Sequence, residues 1–323
     1  MHASFASPFR PSRRFPLSRA VALALLLLST APSFAAKSTA APKPRPSIFE
    51  DVRFRDDASA ALDSLYDFDF PAAEARFRAI EARYPGHPVG PMLRALVPWW
   101  RLLIDPEDTS LDREVLTAMD EALVRARRRL NMNPDDRDGL FFEAGALAFR
   151  ARVATLRKGW VSAGNDGRKA LRNLRRLQKI EPDNVELYFG VGLFDYLADE
   201  IPSRYKFLKP VALLFPRGDK KRGLAELDRA AWKGRFVAAE THFALAQILD
   251  QFERDYARAA VSLEWLRDRY PNNAVFHVAQ GRLYAKWGRL AEAGVILQEV
   301  AERQVDGKVG YTGAVAQESL YWL

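Results

Sequence analysis

The chain has 323 residues, 49 of them basic and 41 acidic, and no cysteine. The absence of cysteine excludes disulfides, a thiol nucleophile, a cysteine-containing zinc site and acylation of a lipoprotein-type cysteine. The positive charge lies at the start: residues 1–35 hold four Arg and no acid, and residues 36–46 add Lys37, Lys43 and Arg45. The remaining 277 residues are nearly neutral, which gives no argument for a nucleic-acid partner.

In chain order, the first predicted element is a leader. Arg10, Arg13, Arg14 and Arg19 precede an uncharged run over residues 20–28, then Ser33-Phe34-Ala35 with small residues at its first and third places. That is the pattern of a signal peptide over 1–35, cleaved after Ala35 or Ala36. The run is about half the roughly 20 residues a spanning helix needs. Ser12-Arg13-Arg14-Phe15-Pro16-Leu17 is a partial twin-arginine pattern, but Pro16 stands where an apolar residue is usual. The general secretory route is therefore expected, with twin-arginine export as the alternative. The expected location is the periplasm, without a lipid anchor. Residues 36–46 (KSTAAPKPRP after Ala36) read as a flexible linker, and residues 47–323 as one folded domain.

From Ser47 onward the pattern is helical, and no stretch sustains strand-like alternation. Four sets share one spacing: Ala73/Phe77/Pro85, Ala122/Ala126/Pro134, Ala170/Leu174/Pro182 and Ala259/Leu263/Pro271. Alanine and an apolar residue at i, i+4 lie on one helix face, and Pro prevents the helix from continuing. Asp135, Asp183 and Asn272, just after three of these prolines, are expected to N-cap the following helices. Ala73, Ala122, Ala170, Gly223, Ala259 and Ala293 become six equivalent points on the second helices of hairpins, 49, 48, 53, 36 and 34 residues apart. The longer intervals predict insertions between the helices of a hairpin, around residues 104–110, 158–167 and 201–218.

The last interval is the tetratricopeptide period. Gly281, Tyr284, Gly288, Ala293, Leu297 and Val300 resemble that repeat in spacing, as do Tyr256, Ala259, Leu263, Leu266 and Pro271 for its second half. Gly192 matches the first half of the fourth hairpin. The chain thus resembles a tetratricopeptide-repeat protein, an all-α solenoid of about six helical hairpins. Residues 189–229 (FGVGLFDYLADEIPSRYKFLKPVALLFPRGDKKRGLAELDR) carry a narrower resemblance. An aromatic-Gly helix, a Pro, a basic-apolar stretch and the turn Gly218-Asp219-Lys220-Lys221-Arg222-Gly223-Leu224 are similar to the tetratricopeptide family linked to inclusion-body clearance and outer mitochondrial membranes, and to bacterial relatives of it. That resemblance implies a non-enzymatic scaffold with possible membrane association; the export signal here departs from it.

No constellation points to chemistry. His87, His242 and His277 lie apart, without H-E-x-x-H or a metal-ligand spacing. Ser162-Ala163-Gly164-Asn165-Asp166-Gly167 lacks the Gly-Lys-Ser/Thr of a phosphate loop and reads as a turn capping a helix over 169–179. Paired acids such as Asp56-Asp57 and Asp135-Asp136 flank helix starts, where the helix dipole favours them. No catalytic residue, metal ligand or cofactor is expected.

Three features suit binding. Transferring the repeat's groove positions gives Glu186, Phe189, Leu193 and Tyr196, then Thr241, Ala244, Ile248 and Gln251, then Val275, Val278 and Arg282, as a groove for a protein partner or, since much of the set is apolar, as a face buried against a neighbouring hairpin. The longest insertion carries Arg204, Lys206, Lys209, Arg217, Lys220 and Lys221 beside Val211, Leu213, Leu214 and Phe215. This suits an anionic lipid or protein contact, or a loop folded back on the array that buries residues 211–215. The tail Leu320-Tyr321-Trp322-Leu323 is expected to dock over the last hairpin. Charge is also uneven: residues 123–181 hold fifteen basic and six acidic residues, residues 50–81 four and nine. The sequence is best read as an exported scaffold or adaptor in the cell envelope. The alternative is a peripheral membrane protein docking through residues 201–222.

Overall fold

The computed structural model describes residues 46–204 and 216–322, and among them the chain is helical with no strand. Helices α1 (Val52–Tyr66) and α2 (Phe70–Arg83) form the first pair. The second joins the broken helix α3 (Val89–Arg94) and α4 (Leu96–Ile104) to α5 (Asp112–Met132). Then come α6 (Arg137–Leu156) with α7 (Trp160–Ile180), and α8 (Leu187–Arg204) with α9 (Lys220–Lys233). Helices α10 (Ala238–Ile248) and α11 (Tyr256–Arg269), then α12 (Ala274–Trp287) and α13 (Leu290–Val305), complete the array. The last helix, α14 (Gly313–Trp322), packs on both α12 and α13, although Leu320 and Tyr321 stay exposed. The fold is an all-α, tetratricopeptide-like solenoid.

Each of the six aligned small residues is buried at a helix contact. Gly223 shows why size matters there. A Cβ on it would lie 2.5 Å from the Tyr196 amide nitrogen and 2.6 Å from the Gly192 carbonyl oxygen. Helices α8 and α9 therefore cross backbone against backbone, and only glycine fits.

The turns correct one expectation. After Pro134 and Pro271 the capping residues are Asp136 and Asn273, one position later than Asp135 and Asn272. Asp136 Oδ1 accepts from Gly139 N at 2.8 Å, and Asn273 Oδ1 from Val275 N at 3.0 Å. The cause is a β-turn with Pro at its second position: Asp136 N donates to Asn133 O at 2.9 Å and Asn273 N to Tyr270 O at 3.1 Å. The cap is the residue that closes this turn. In the third case Asn184 closes the turn on Glu181 O at 3.2 Å, ahead of α8.

A second correction concerns the interval at 158–167. Residues 162–167 are not a turn but lie inside α7, which begins at Trp160. Ala163 and Gly164 are buried, and Asp166 accepts from Arg150 Nε at 3.0 Å, so this segment packs as helix. The extra period is absorbed as added helical turns on α6 and α7. The intervals at 104–110 and 201–218 do separate the helices of a hairpin, though residues 205–215 lie outside the described part.

The array curls until its first hairpin meets its last ones. Phe49 packs on Phe236 at 5.5 Å between ring centroids, Tyr66 on Tyr270 at 5.4 Å, and Trp100 on Phe276 at 5.5 Å. Around this seam Asp56 accepts from Arg235 at 2.7 Å, Asp63 from Tyr270 Oη at 3.0 Å, and Asp67 from Asn272 N at 3.0 Å. Buried Asn273 donates to the Tyr66 carbonyl at 2.7 Å. Upstream, Asp138, 2% exposed, fixes the start of the domain. It accepts from Ser47 Oγ at 2.6 Å, Ile48 N at 3.1 Å and Arg129 Nη2 at 3.0 Å, and lies 3.1 Å from His87 Nε2. Burial opposes its charge, but these donors outweigh burial and hold its carboxyl below the usual carboxylate range.

Two stability measurements check this packing. Gly223→Ala is expected to destabilise by about 1–3 kcal/mol through overpacking, whereas Gly294→Ala, with open space at its Cβ, should be neutral or stabilise by about 0.5–1 kcal/mol. Equal urea midpoints for the two variants would contradict the close crossing. Trp100→Ala should cost about 3–5 kcal/mol, as large-to-small changes in a dense core do. An unchanged midpoint would mean that the first hairpins do not share the core of the last.

Candidate functional site

The inner face that should serve as a groove is largely filled by the protein itself. The first helices of successive hairpins converge there, and α1 and α4 occupy the space before α10 and α12. Thr241 is fully buried and donates to its own helix at Val237 O (2.6 Å). Tyr196 is fully buried with its hydroxyl on Glu253. Glu186 receives the backbone N–H groups of Arg235, Phe236 and Val237 at 2.6, 3.1 and 3.0 Å, acting as a remote cap for α10. Burial outweighs these bonds and raises its carboxyl above the usual value. Phe189, Leu193 and Val275 pack half-buried against the core, Ala244 is also half-buried, and Ile248 and Val278 lie inside it. Arg282 pairs with Glu318 of α14, and Gln251 alone of the set is exposed. The transferred positions therefore line a packed interior, not one open surface.

An open cleft of about 330 Å³ does remain at the seam, lined by Asp63, Ser64, Asp67, Asp69, Arg269 and Tyr270. Its acids already accept hydrogen bonds from Arg269, Tyr270, Asn272 and the backbone of α2.

The insertion is anchored by charge at both described ends. Arg204 bonds Glu200 at 2.9 Å and the Phe252 carbonyl at 2.9 Å; Lys220 bonds Glu200 at 2.7 Å and Glu253 at 2.8 Å. These two cations, although partly open to solvent, are held in ion pairs with the body of the fold. Arg217 and Lys221 are exposed; Lys206 and Lys209, with residues 211–215, lie outside the described residues. What aims Glu253 is a π-helical turn, Leu249–Glu253, closed by Arg254 at φ 55°. The same wide turn directs Asp250 to Lys286 at 2.7 Å. Sequence reasoning missed it, because a one-residue widening leaves no periodic trace in five residues.

The histidines also face inward. His242 stacks on Trp265 with centroids 4.2 Å apart, and burial holds its imidazole down to about 4. His277 is fully buried 2.9 Å from the Tyr311 hydroxyl, among Arg267, Glu299 and Arg303. Burial first, and the Arg267 charge next, push it well below its ordinary value. Among the described residues no group of His, Asp or Glu is arranged to hold a metal, and no helix is long and apolar enough to cross a membrane.

Residues 186–309 match the family model described as Iml2/Tetratricopeptide repeat protein 39. The match runs from Glu186 through α13, includes the 189–229 segment, and covers less than half of the chain. The chain is thus a tetratricopeptide-like protein resembling that family over its C-terminal hairpins. No curated protein matches it.

The buried histidines set a pH dependence. The unfolded chain protonates His242 below about 6.5, while the folded one resists until about 4. The stability from a neutral His242 is complete above the unfolded value and is lost as pH falls from there toward about 4. Between pH 7 and pH 5, His242 should remove about 2 kcal/mol of stability. Urea midpoints at the two pH values check this, and His242→Phe should reduce the difference.

Proposed function

We propose that the chain is an exported, non-enzymatic scaffold of the cell envelope that holds protein partners on its outer surfaces. The carrying observation is the repeated hairpin with a small residue at each helix crossing, matched to a tetratricopeptide family over residues 186–309. Such arrays present long, rigid surfaces and bind through them. The polar residues that could have suggested chemistry are engaged internally: His242 and His277 in the core, Asp138 on the N-terminal segment. With the inner face filled, partners are expected on the convex and edge surfaces. The leader pattern over residues 1–35 supports export to the periplasm.

Two experiments test the parts separately. Residues 1–46 fused to alkaline phosphatase lacking its own signal should give an active enzyme outside the cytoplasm; an inactive fusion overturns export. In-cell crosslinking of the full chain, followed by mass spectrometry, should recover a recurring protein at outward positions. Crosslinks confined to copies of this chain would overturn the scaffold reading.

A further inference from the structure

The basic excess in the middle of the chain is sorted by the fold. Most of its cations are matched: Arg129 with Asp136, Arg137 with Glu181, Arg150 with Asp166 and Arg157 with Asp112, all within 3.0 Å. Several of the rest lie on α7, while exposed Arg128 lies on α5 and exposed Lys158 just before α7. Lys169, Arg172, Arg176 and Lys179 are exposed and follow one another at intervals of three, four and three residues. That spacing keeps them on one side of the helix, over about 15 Å. Only Arg176 among the four pairs with an acid, exposed Asp135 at 2.8 Å. Of the other acids bordering α7, Glu143 is engaged by Arg127 and Asn173 and Asp195 by Arg175 and Arg222, while exposed Asp183 stands just past the C-terminal end of the helix. Arg168 stands beside the row, and burial, with the Arg172 charge added, lowers its guanidinium below the usual value. The ridge therefore carries a local excess of positive charge, four cations beside Asp135 and, past its end, Asp183.

We propose that this outward face of α7 is a docking surface for an acidic segment of a protein partner. Between Lys169 and Lys179 every exposed residue is cationic, and Leu171, Leu174 and Leu177 are turned inward. A helix that lies on a membrane shows a row of apolar side chains on the face it presents, whereas here exposed Val161 and Ile180 stand only at the two ends of the cationic row. Carboxylates spaced along a helix or an extended strand meet such a row directly, and guanidinium groups can bind them in bidentate fashion. The proposal rests on the scaffold reading and names the chemistry of the partner.

The test uses a fluorescein-labelled helical peptide with Glu at the same three-four-three spacing, and the full chain. Binding is expected to weaken about tenfold or more on raising salt from 50 to 300 mM, as exposed charge pairs are screened. The variant Lys169→Glu/Arg172→Glu/Lys179→Glu should weaken binding about tenfold or more at low salt. Arg53→Glu/Arg76→Glu/Lys308→Glu, with the same charge change at other exposed positions, should weaken it by less than about twofold. Circular-dichroism melts matching wild type confirm that both variants fold. Equal loss in the two variants, no peptide binding, or binding to phosphatidylglycerol vesicles alone would each overturn the proposal. Unchanged crosslinks in cells with the α7 variant would overturn it too, while leaving the scaffold reading in place.

Discussion

Aromatic side chains on the inner faces of the first and last hairpins hold this molecule closed, and the remaining architecture depends on that contact. Tyr66, Trp100, Tyr270 and Phe276 form a connected set with edge and tilted geometries, and each is at most 5% exposed. Burial of a large aromatic side chain outweighs an exposed ion pair, which contributes about 0–1 kcal/mol. Arg235–Asp56 and Arg269–Asp63 are such exposed pairs. Their role is alignment: they fix how α1 lies across the later hairpins once the aromatic contact has drawn it in. Asn273, buried and bonded to the Tyr66 carbonyl, gives that alignment a directional bond inside the core.

Closure changes which surfaces are free for recognition. In an open array the first helices would display a groove; here their side chains are the core. The outward second helices keep their charge pattern, and α7 shows it most plainly because its inner side packs on α6 while its outer side meets solvent. The acidic first hairpin has a different use. Its carboxylates meet the arginines of the last hairpins, so the uneven charge along the chain is partly an internal matching of ends.

The hairpins were legible because helix crossings demand small residues at fixed intervals, and Ala73, Ala122, Ala170, Gly223, Ala259 and Ala293 obey that demand. The insertion at 158–167 was not, since Gly164 and Gly167 look like turn residues locally while Asp166 is held in helix by Arg150 from another element. Cap positions slipped by one because the closing residue of a turn, and not the neighbour of proline, carries the cap. The transferred groove positions left two readings open for a deeper reason. A single hairpin records which side faces inward, but not whether that side meets a partner or residues 207 positions away, as Tyr66 meets Asn273. The expected export signal and the basic-apolar stretch at 205–215 lie outside the described residues.

An open repeat array can gain or lose a unit at little cost, and it can fold outward from any starting hairpin. This one can do neither freely. The bonds joining residues near 63 to those near 270 require both ends to be present and the number of intervening turns to be right. Deleting or duplicating one hairpin would rotate Trp100 away from Phe276 and leave both faces exposed. The long separations also make closure entropically costly. The solenoid has in effect acquired a fixed length.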